Sequence, residues 1–243
     1  MAKVAAVPLC TQPGRTWAYS LAPDLQARLV EVLSGERFAD FVARRITGLL
    51  GMTDTGFIAR PDMVERLTKL YWMKDGALTA WAGDSAPPVP PFLRSWPSAF
   101  AHIDDSACAQ ERGSFGLYTT LGDYLRFAQM LLDRGKWRDE RLLEESTVKL
   151  MATDQLGDIP MPWDVQGLGF GLGFAVIKDP AATRAPGTAG TFYWDGAAGT
   201  VFWVDPANDM VVVALAQHLL IPGLDPHAIA AELRRLIYPA LDA

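Results

Sequence analysis

The residues best suited to chemistry lie in two short segments near opposite ends of the chain. The first contains Tyr19, followed directly by Ser20, and the second runs from Trp194 to Gly199 as Trp-Asp-Gly-Ala-Ala-Gly. A tyrosine hydroxyl can shuttle a proton, but a free tyrosine has a pKa of ~10 and is a poor base unless a cation stabilises its phenolate. The small residues of the second segment let a substrate approach the backbone closely, which suits stabilisation of a developing negative charge by N–H groups.

A serine with a nearby lysine occurs once, in the Ser-Thr-Val-Lys stretch that begins at Ser146 and ends at Lys149. On a helix these two side chains would be neighbours. Two glutamates precede the serine, however, so we interpret the stretch as a solvated helix surface. Ser20 is not predicted to be a nucleophile either, because it and the adjacent Tyr19 point in different directions.

Composition and charge restrict the possible partners. Half of the 243 residues are hydrophobic and the net charge is −6, with no basic tract to neutralise phosphates, so nucleic acid is not an expected partner. The longest apolar runs are too short to span a bilayer, and the absence of a signal-peptide pattern favours a cytoplasmic location. Cys10 and Cys108 make neither a disulfide scaffold nor a metal cluster, and no metal or organic cofactor is implied. Three histidines show no spacing typical of a metal site or a catalytic triad: His102, His218 and His227.

Periodicity predicts helices in the first part of the chain and strands in the second. The clearest helix covers 121–133, with Thr120 as its N-cap. The other predicted elements are helices over 22–33, 38–50, 144–151 and 226–241, strands over 167–176, 199–204 and 210–217, a hairpin turn at 205–209, and a proline-rich surface loop at 84–98. The glycines of 167–176 indicate that something packs closely against this strand.

This order predicts an α+β fold, in which an antiparallel sheet flanked by helices lies beside a mostly helical lobe. We expect the helical lobe to cover about 20–165, and the sheet strands with the C-terminal helix to cover about 166–243.

Five segments, in chain order, resemble those of the serine β-lactamase-like hydrolases. This superfamily includes class C β-lactamases, penicillin-binding carboxypeptidases and a branch of carboxylesterases. The segments are 12–21 (QPGRTWAYSL), 49–57 (LLGMTDTGF), 116–131 (GLYTTLGDYLRFAQML), 170–174 (FGLGF) and 193–200 (YWDGAAGT). Together they extend over almost the whole chain.

The last segment separates the branches of this superfamily. β-Lactamases typically have Lys-Thr-Gly there, many relatives have His-x-Gly, and the carboxylesterase branch usually has Trp-Gly-Gly. This chain has Trp194-Asp195-Gly196, which resembles the esterase form except at Asp195. Leu21 also stands where lactamases have the asparagine of Tyr-x-Asn. The missing Lys-Thr-Gly cation, which helps to hold a substrate carboxylate, argues against the alternative of a β-lactamase or D-Ala carboxypeptidase.

The resemblance implies acyl transfer, in which a serine attacks a carbonyl and water releases the acyl group. It implies that Tyr19 shuttles the proton and that the N–H of Ala197 supplies half of the oxyanion hole. It also implies that Trp194, Asp195 and Gly196 bind the substrate, a small ester or lactam.

The family's first motif, Ser-x-x-Lys, should precede the tyrosine, and no room for it exists before Tyr19. We therefore expect this chain to be the C-terminal portion of such a domain, incomplete at its N-terminus and inactive alone. It should expose a sheet edge and the apolar floor of the site, and so self-associate or bind a complementary N-terminal segment. The alternative is a non-catalytic truncated relative that binds small acyl ligands, binds nothing, or needs a partner chain.

Overall fold

In the computed structural model, the described residues are 6–80, 111–161, 165–183, 186–218 and 228–241. The proline-rich stretch 84–98, Cys108, His102 and His227 lie outside them.

The helices are concentrated in the first two thirds of the chain. In the described residues they are α1 (Ala22–Ser34), α2 (Phe38–Val42), α3 (Gly48–Leu50), α4 (Leu121–Leu132), α5 (Glu145–Met151) and α6 (Ala228–Leu241), with short 3₁₀ turns at Pro61–Arg66 and Pro206–Asn208. The helix predicted over 38–50 is interrupted, because a π-helical turn at Ala43–Thr47 joins α2 to α3. Gly35 and Gly51 end their helices in the left-handed conformation, as their positions predicted.

Helix α4 forms as the sequence predicted and packs against the sheet in a shared hydrophobic core. The Thr120 hydroxyl accepts a hydrogen bond from the N–H of Asp123 at 3.3 Å, which caps the first turn. Ala128, Met130 and Leu131 of this helix are buried in the core. The position of α4 is therefore fixed both by its own cap and by the core.

Asp123 also ties α4 to the 49–57 segment. Its buried carboxylate accepts hydrogen bonds from the N–H of Asp54 at 2.8 Å and the hydroxyl of Thr55 at 3.0 Å, and it pairs with Arg126 at 3.1 Å. Gly56 and Tyr118 form a short antiparallel bridge beside it. Two segments that are separate in sequence are thereby joined into one layer.

A five-stranded antiparallel sheet holds the second half of the fold. Its strands lie in chain order, β5 (Leu168–Phe170), β6 (Ala175–Ile177), β7 (Phe192–Asp195), β8 (Val201–Asp205) and β9 (Met210–Ala214). Two hairpins precede it, β1 (Tyr71–Lys74) with β2 (Ala77–Ala80), and β3 (Lys136–Trp137) with β4 (Glu140–Arg141). Sequence reasoning missed the first hairpin, although Asp75-Gly76 between its strands is a strong hairpin-turn signal.

Side chains alternate between the two faces of this sheet. Phe192, Phe202 and Val204 pack in one cluster with residues of α4. Trp203 packs on the other face, in a cluster with residues of α6. The sheet is therefore covered by helices on both faces, and the predicted α+β fold is confirmed.

The glycine-rich segment forms two strands rather than the single strand predicted over 167–176. The N–H of Gly171 donates to the carbonyl of Phe174 at 2.8 Å, which turns the chain between β5 and β6. The predicted close packing is confirmed. A Cβ at Gly171 would lie 1.9 Å from the carbonyl oxygen of Met151, and one at Gly169 would lie 2.4 Å from Cγ of Asp154.

Helix α1 has an apolar face that the rest of the protein leaves open. Leu29 is 55% exposed and Leu33 is 78% exposed, and Leu25 and Val32 are also exposed. Of the residues of α1, Ala27 alone is buried. The leucine spacing predicted the helix correctly, but these leucines are not part of the core. No helix among the described residues combines the length and hydropathy that crossing a membrane requires.

Candidate active site

The fold brings the two chemically interesting segments together. The ring of Tyr19 stacks on the ring of Trp194, with the centroids 6.2 Å apart and the planes inclined by 20°. Tyr19 lies just before α1 and is 65% exposed, whereas Trp194 lies near the end of β7, the central strand of the sheet. The tyrosine hydroxyl is therefore carried on an open surface beside a strand end.

Two further aromatic side chains complete this surface, which we call the aromatic corner: Trp17, Tyr19, Phe170 and Trp194. The centroid of the Phe170 ring lies 5.0 Å from that of Trp17 and 5.3 Å from that of Trp194, and both pairs pack edge to face. Trp17 and Tyr19 are 6.2 Å apart. The sequence assigned neither Trp17 nor Phe170 to the site, although both belong to segments that carry the family resemblance.

The chain turns sharply directly after Trp194 and Asp195. The N–H of Gly196 donates to the carbonyl of Thr200 at 2.8 Å, and the N–H of Gly199 donates to the carbonyl of Gly196 at 2.9 Å. Gly196 and Ala197 therefore lie in a turn that follows the end of β7. No acceptor for the Ala197 N–H is found in the described part of the chain, so this donor is available to a bound group.

Asp195 points to the opposite face of β7 from Trp194. Tyr193 and Asp195 alternate with Trp194 along the strand, and the buried guanidinium of Arg234 lies between the rings of Tyr193 and Trp203, 4.6 and 4.7 Å from their centroids. Arg234 is 2% exposed, and its burial lowers its pKa. The groups that act electrostatically in the opposite direction are, from the largest effect to the smallest, Tyr238, Tyr193, Asp205 and Asp195. Strand alternation therefore places Asp195 on the face of β7 that also carries Arg234, away from the ring of Trp194.

The two serines that were not predicted to be nucleophiles, Ser20 and Ser146, lie on the protein surface. Ser146 and Lys149 are exposed on α5, and Ser20 is exposed beside Tyr19. Among the described residues, no group of three or more His, Cys, Asp and Glu side chains is arranged to hold a metal ion.

Comparison with known proteins identifies the family. The sequence matches the Beta-lactamase family over residues 1–235. It is 34% identical over 206 residues to protein Rv1367c of Mycobacterium tuberculosis, covering 81% of this chain and 47% of that protein. It is 29% identical over 200 residues to esterase EstB of Burkholderia gladioli, covering 80% and 47% of the two chains.

The fold agrees with solved structures. EstCE1, described as a hydrolase with promiscuous acyltransferase activity, superposes with a TM-score of 0.80 at 25% identity, over 97% of this chain and 59% of that one. The chain spans about half the length of the curated relatives it matches. The family match over nearly all of its residues and the shared fold show that this chain belongs to the β-lactamase family of serine hydrolases, on its carboxylesterase branch.

Proposed function

We propose that this chain is the part of a serine ester hydrolase that carries the tyrosine and the oxyanion hole, and that its nucleophile lies on a segment absent from these 243 residues. The observation that carries the proposal is the stacking of Tyr19 on Trp194 at 6.2 Å. It joins the family's tyrosine segment to the strand end whose turn carries the Ala197 N–H, a donor with no acceptor among the described residues.

The proposed reaction passes through an acyl-enzyme. The serine hydroxyl attacks the ester carbonyl while Tyr19 takes its proton and passes it to the departing alcohol. The N–H of Ala197 donates to the carbonyl oxygen as that oxygen gains negative charge, together with the N–H of the serine. Water then attacks the acyl-serine by the same route, which releases the acid and restores the serine.

The described site favours uncharged esters over substrates that carry a carboxylate. In the position of the lactamase cation the chain has Trp194, and the neighbouring side chains are the other rings of the aromatic corner. Rings bind apolar groups by stacking but provide no ion pair for a carboxylate. In this proposal Trp194 and Gly196 contact the substrate, and Asp195 lies on the opposite face of β7 from Trp194.

A second candidate is a truncated relative that does no chemistry and binds small acyl ligands or nothing. Two observations favour it. No cation donates to the Tyr19 hydroxyl within the described residues, and the leucines of α1 are exposed beside the site segment. A complementary N-terminal segment carrying Ser-x-x-Lys would supply the cation that the phenolate needs.

The test is hydrolysis of p-nitrophenyl acetate and butyrate by the purified chain, alone and mixed with an N-terminal segment that carries Ser-x-x-Lys. We expect turnover only in the mixture, and its loss in Tyr19→Phe. Ser146→Ala is the matched control, since it removes an exposed hydroxyl and should leave turnover unchanged. Turnover by the chain alone that survives Tyr19→Phe would contradict the proposal.

A further inference from the structure

His218 lies against the turn that carries the Ala197 N–H. It follows β9, and its own N–H donates to the carbonyl of Ala198 at 2.9 Å. Its imidazole covers Gly199, since a Cβ built on Gly199 would lie 2.4 Å from Nε2 and 2.9 Å from Cδ2 and Cε1 of the ring. Gly199 also has a φ of +82°, which residues with side chains rarely adopt.

The backbone around His218 is held from the other side as well. The N–H of Tyr71, at the start of β1, donates to the carbonyl of Gln217 at 2.8 Å, and Tyr71 bridges to His218. The Nδ1 atom of His218 is buried and has no hydrogen-bond partner among the described residues. The ring therefore acts on the turn through its shape rather than through a hydrogen bond.

We propose that His218 is a positioning residue that sets the direction of the Ala197 N–H. Its main chain holds the Ala198 carbonyl and its ring holds Gly199, so the two residues after Ala197 are fixed. The turn itself has only the two internal hydrogen bonds described above. The inference rests on the proposed function, because the direction of the N–H matters only if a carbonyl oxygen binds there.

A double-mutant cycle of Gly199→Ala and His218→Ala tests the contact. Measured in the mixture with an N-terminal segment that carries Ser-x-x-Lys, His218→Ala should lower kcat by about tenfold with little change in KM, because a misaimed donor weakens the transition state more than the bound ester. Gly199→Ala should lower kcat at least as much, since its methyl group collides with the ring. In the double variant the methyl group enters the space left by the ring, so His218→Ala should raise the activity of Gly199→Ala. Additive losses would overturn the proposal.

An amide spectrum separates this inference from the proposed function. In ¹⁵N-labelled, partially aligned chain, His218→Ala should change the residual dipolar coupling of the Ala197 N–H, which reports the direction of that bond, while the couplings of the buried strand β8 stay the same. This result is expected even if no ester is hydrolysed, in which case the proposed function fails and the positioning contact stands. An unchanged Ala197 coupling would overturn the positioning role whatever the kinetics show.

Discussion

Asp205 connects strand β8 to Thr188 and to Tyr238 of helix α6. The loss of stability on its removal can be worked out from these contacts. Its buried carboxylate, at the end of β8, accepts hydrogen bonds from Thr188 Oγ1 at 2.6 Å and Tyr238 Oη at 2.8 Å. It also accepts from the side-chain amide of Asn208 at 2.9 Å and from the N–H groups of Ala207 and Asn208 at 3.1 and 3.3 Å. We predict that Asp205→Ala strongly destabilises the protein.

The two hydroxyl donors, Thr188 and Tyr238, determine how much stability is lost. Ala207 and Asn208 are exposed, so their N–H groups can form hydrogen bonds with water instead. A hydrogen bond to a charged group contributes about 1.5–3 kcal/mol, so losing two costs about 3–6 kcal/mol. Removing the desolvation of the carboxylate returns part of this. We therefore expect a loss of about 3–5 kcal/mol in the free energy of unfolding, against a typical total of about 5–15 kcal/mol.

The same contacts make the stability of the protein depend on pH. Although burial opposes ionisation, the hydrogen bonds from Thr188, Asn208 and Tyr238 hold the pKa of Asp205 below its usual range. Burial and the bond to Asp205 raise the pKa of Tyr238 to about 12. A carboxylate whose pKa is lowered on folding stabilises the protein above its unfolded value of about 4, and this is lost as the pH falls through the folded value. Asp205→Asn should therefore make unfolding less sensitive to pH below about 4.

The assay is urea unfolding followed by tryptophan fluorescence, at pH 7 and through the acid range. Asp209→Asn is the control, because Asp209 is exposed with a φ of +47° that asparagine tolerates equally well. The control should change the stability by less than about 0.5 kcal/mol. A loss below about 1 kcal/mol in Asp205→Ala would refute this reasoning.

Three other changes test other parts of the account. Gly171→Ala should lower the free energy of unfolding by at least about 2 kcal/mol, because its Cβ would lie 1.9 Å from a carbonyl oxygen. Gly122→Ala, which has open space around it in α4, should instead raise this free energy by about 0.5–1 kcal/mol. Chemical denaturation measures both changes. Leu29→Lys with Leu33→Glu should reduce self-association without lowering the melting temperature, as sedimentation velocity would show, and unchanged association would refute the role of the exposed face. Lys178→Met should raise the pKa of Asp154. Burial opposes ionisation of this carboxyl, but hydrogen bonds from Lys178 and two N–H groups hold its pKa below the usual value. Loss of the Lys178 bond should therefore move the midpoint of acid unfolding to a higher pH.

Capping and turn residues in the sequence predicted those helices and turns whose hydrogen bonds are made within a few residues of the chain. Helix α4 has its own cap at Thr120, and the turn after β8 has Asp205 accepting from the next two N–H groups, so both followed from sequence. The break between β5 and β6 did not, because it depends on the Gly171 turn and on contact with Met151, which is distant in sequence. The spacing of leucines in α1 predicted an amphipathic helix but carried no information on what covers it.

The site was predicted through resemblance rather than spacing. Nothing in the separation of Tyr19 and Trp194 indicates that they meet, and only the family motifs placed them together. Phe170 was missed because its segment was interpreted as a packed strand, which it also is. The face occupied by Asp195 follows from strand alternation, but the buried Arg234 on that face comes from a helix at the far end of the chain.

The most direct test of the central claim is to locate the acyl group. The chain, mixed with an N-terminal segment that carries Ser-x-x-Lys, would be treated with p-nitrophenyl butyrate, quenched in acid and mapped by mass spectrometry. The account predicts a butyryl group on the serine of the segment's Ser-x-x-Lys, formed only when both chains are present and lost in Tyr19→Phe. A butyryl group on Ser146 or another serine of this chain, retained in Tyr19→Phe, would contradict it.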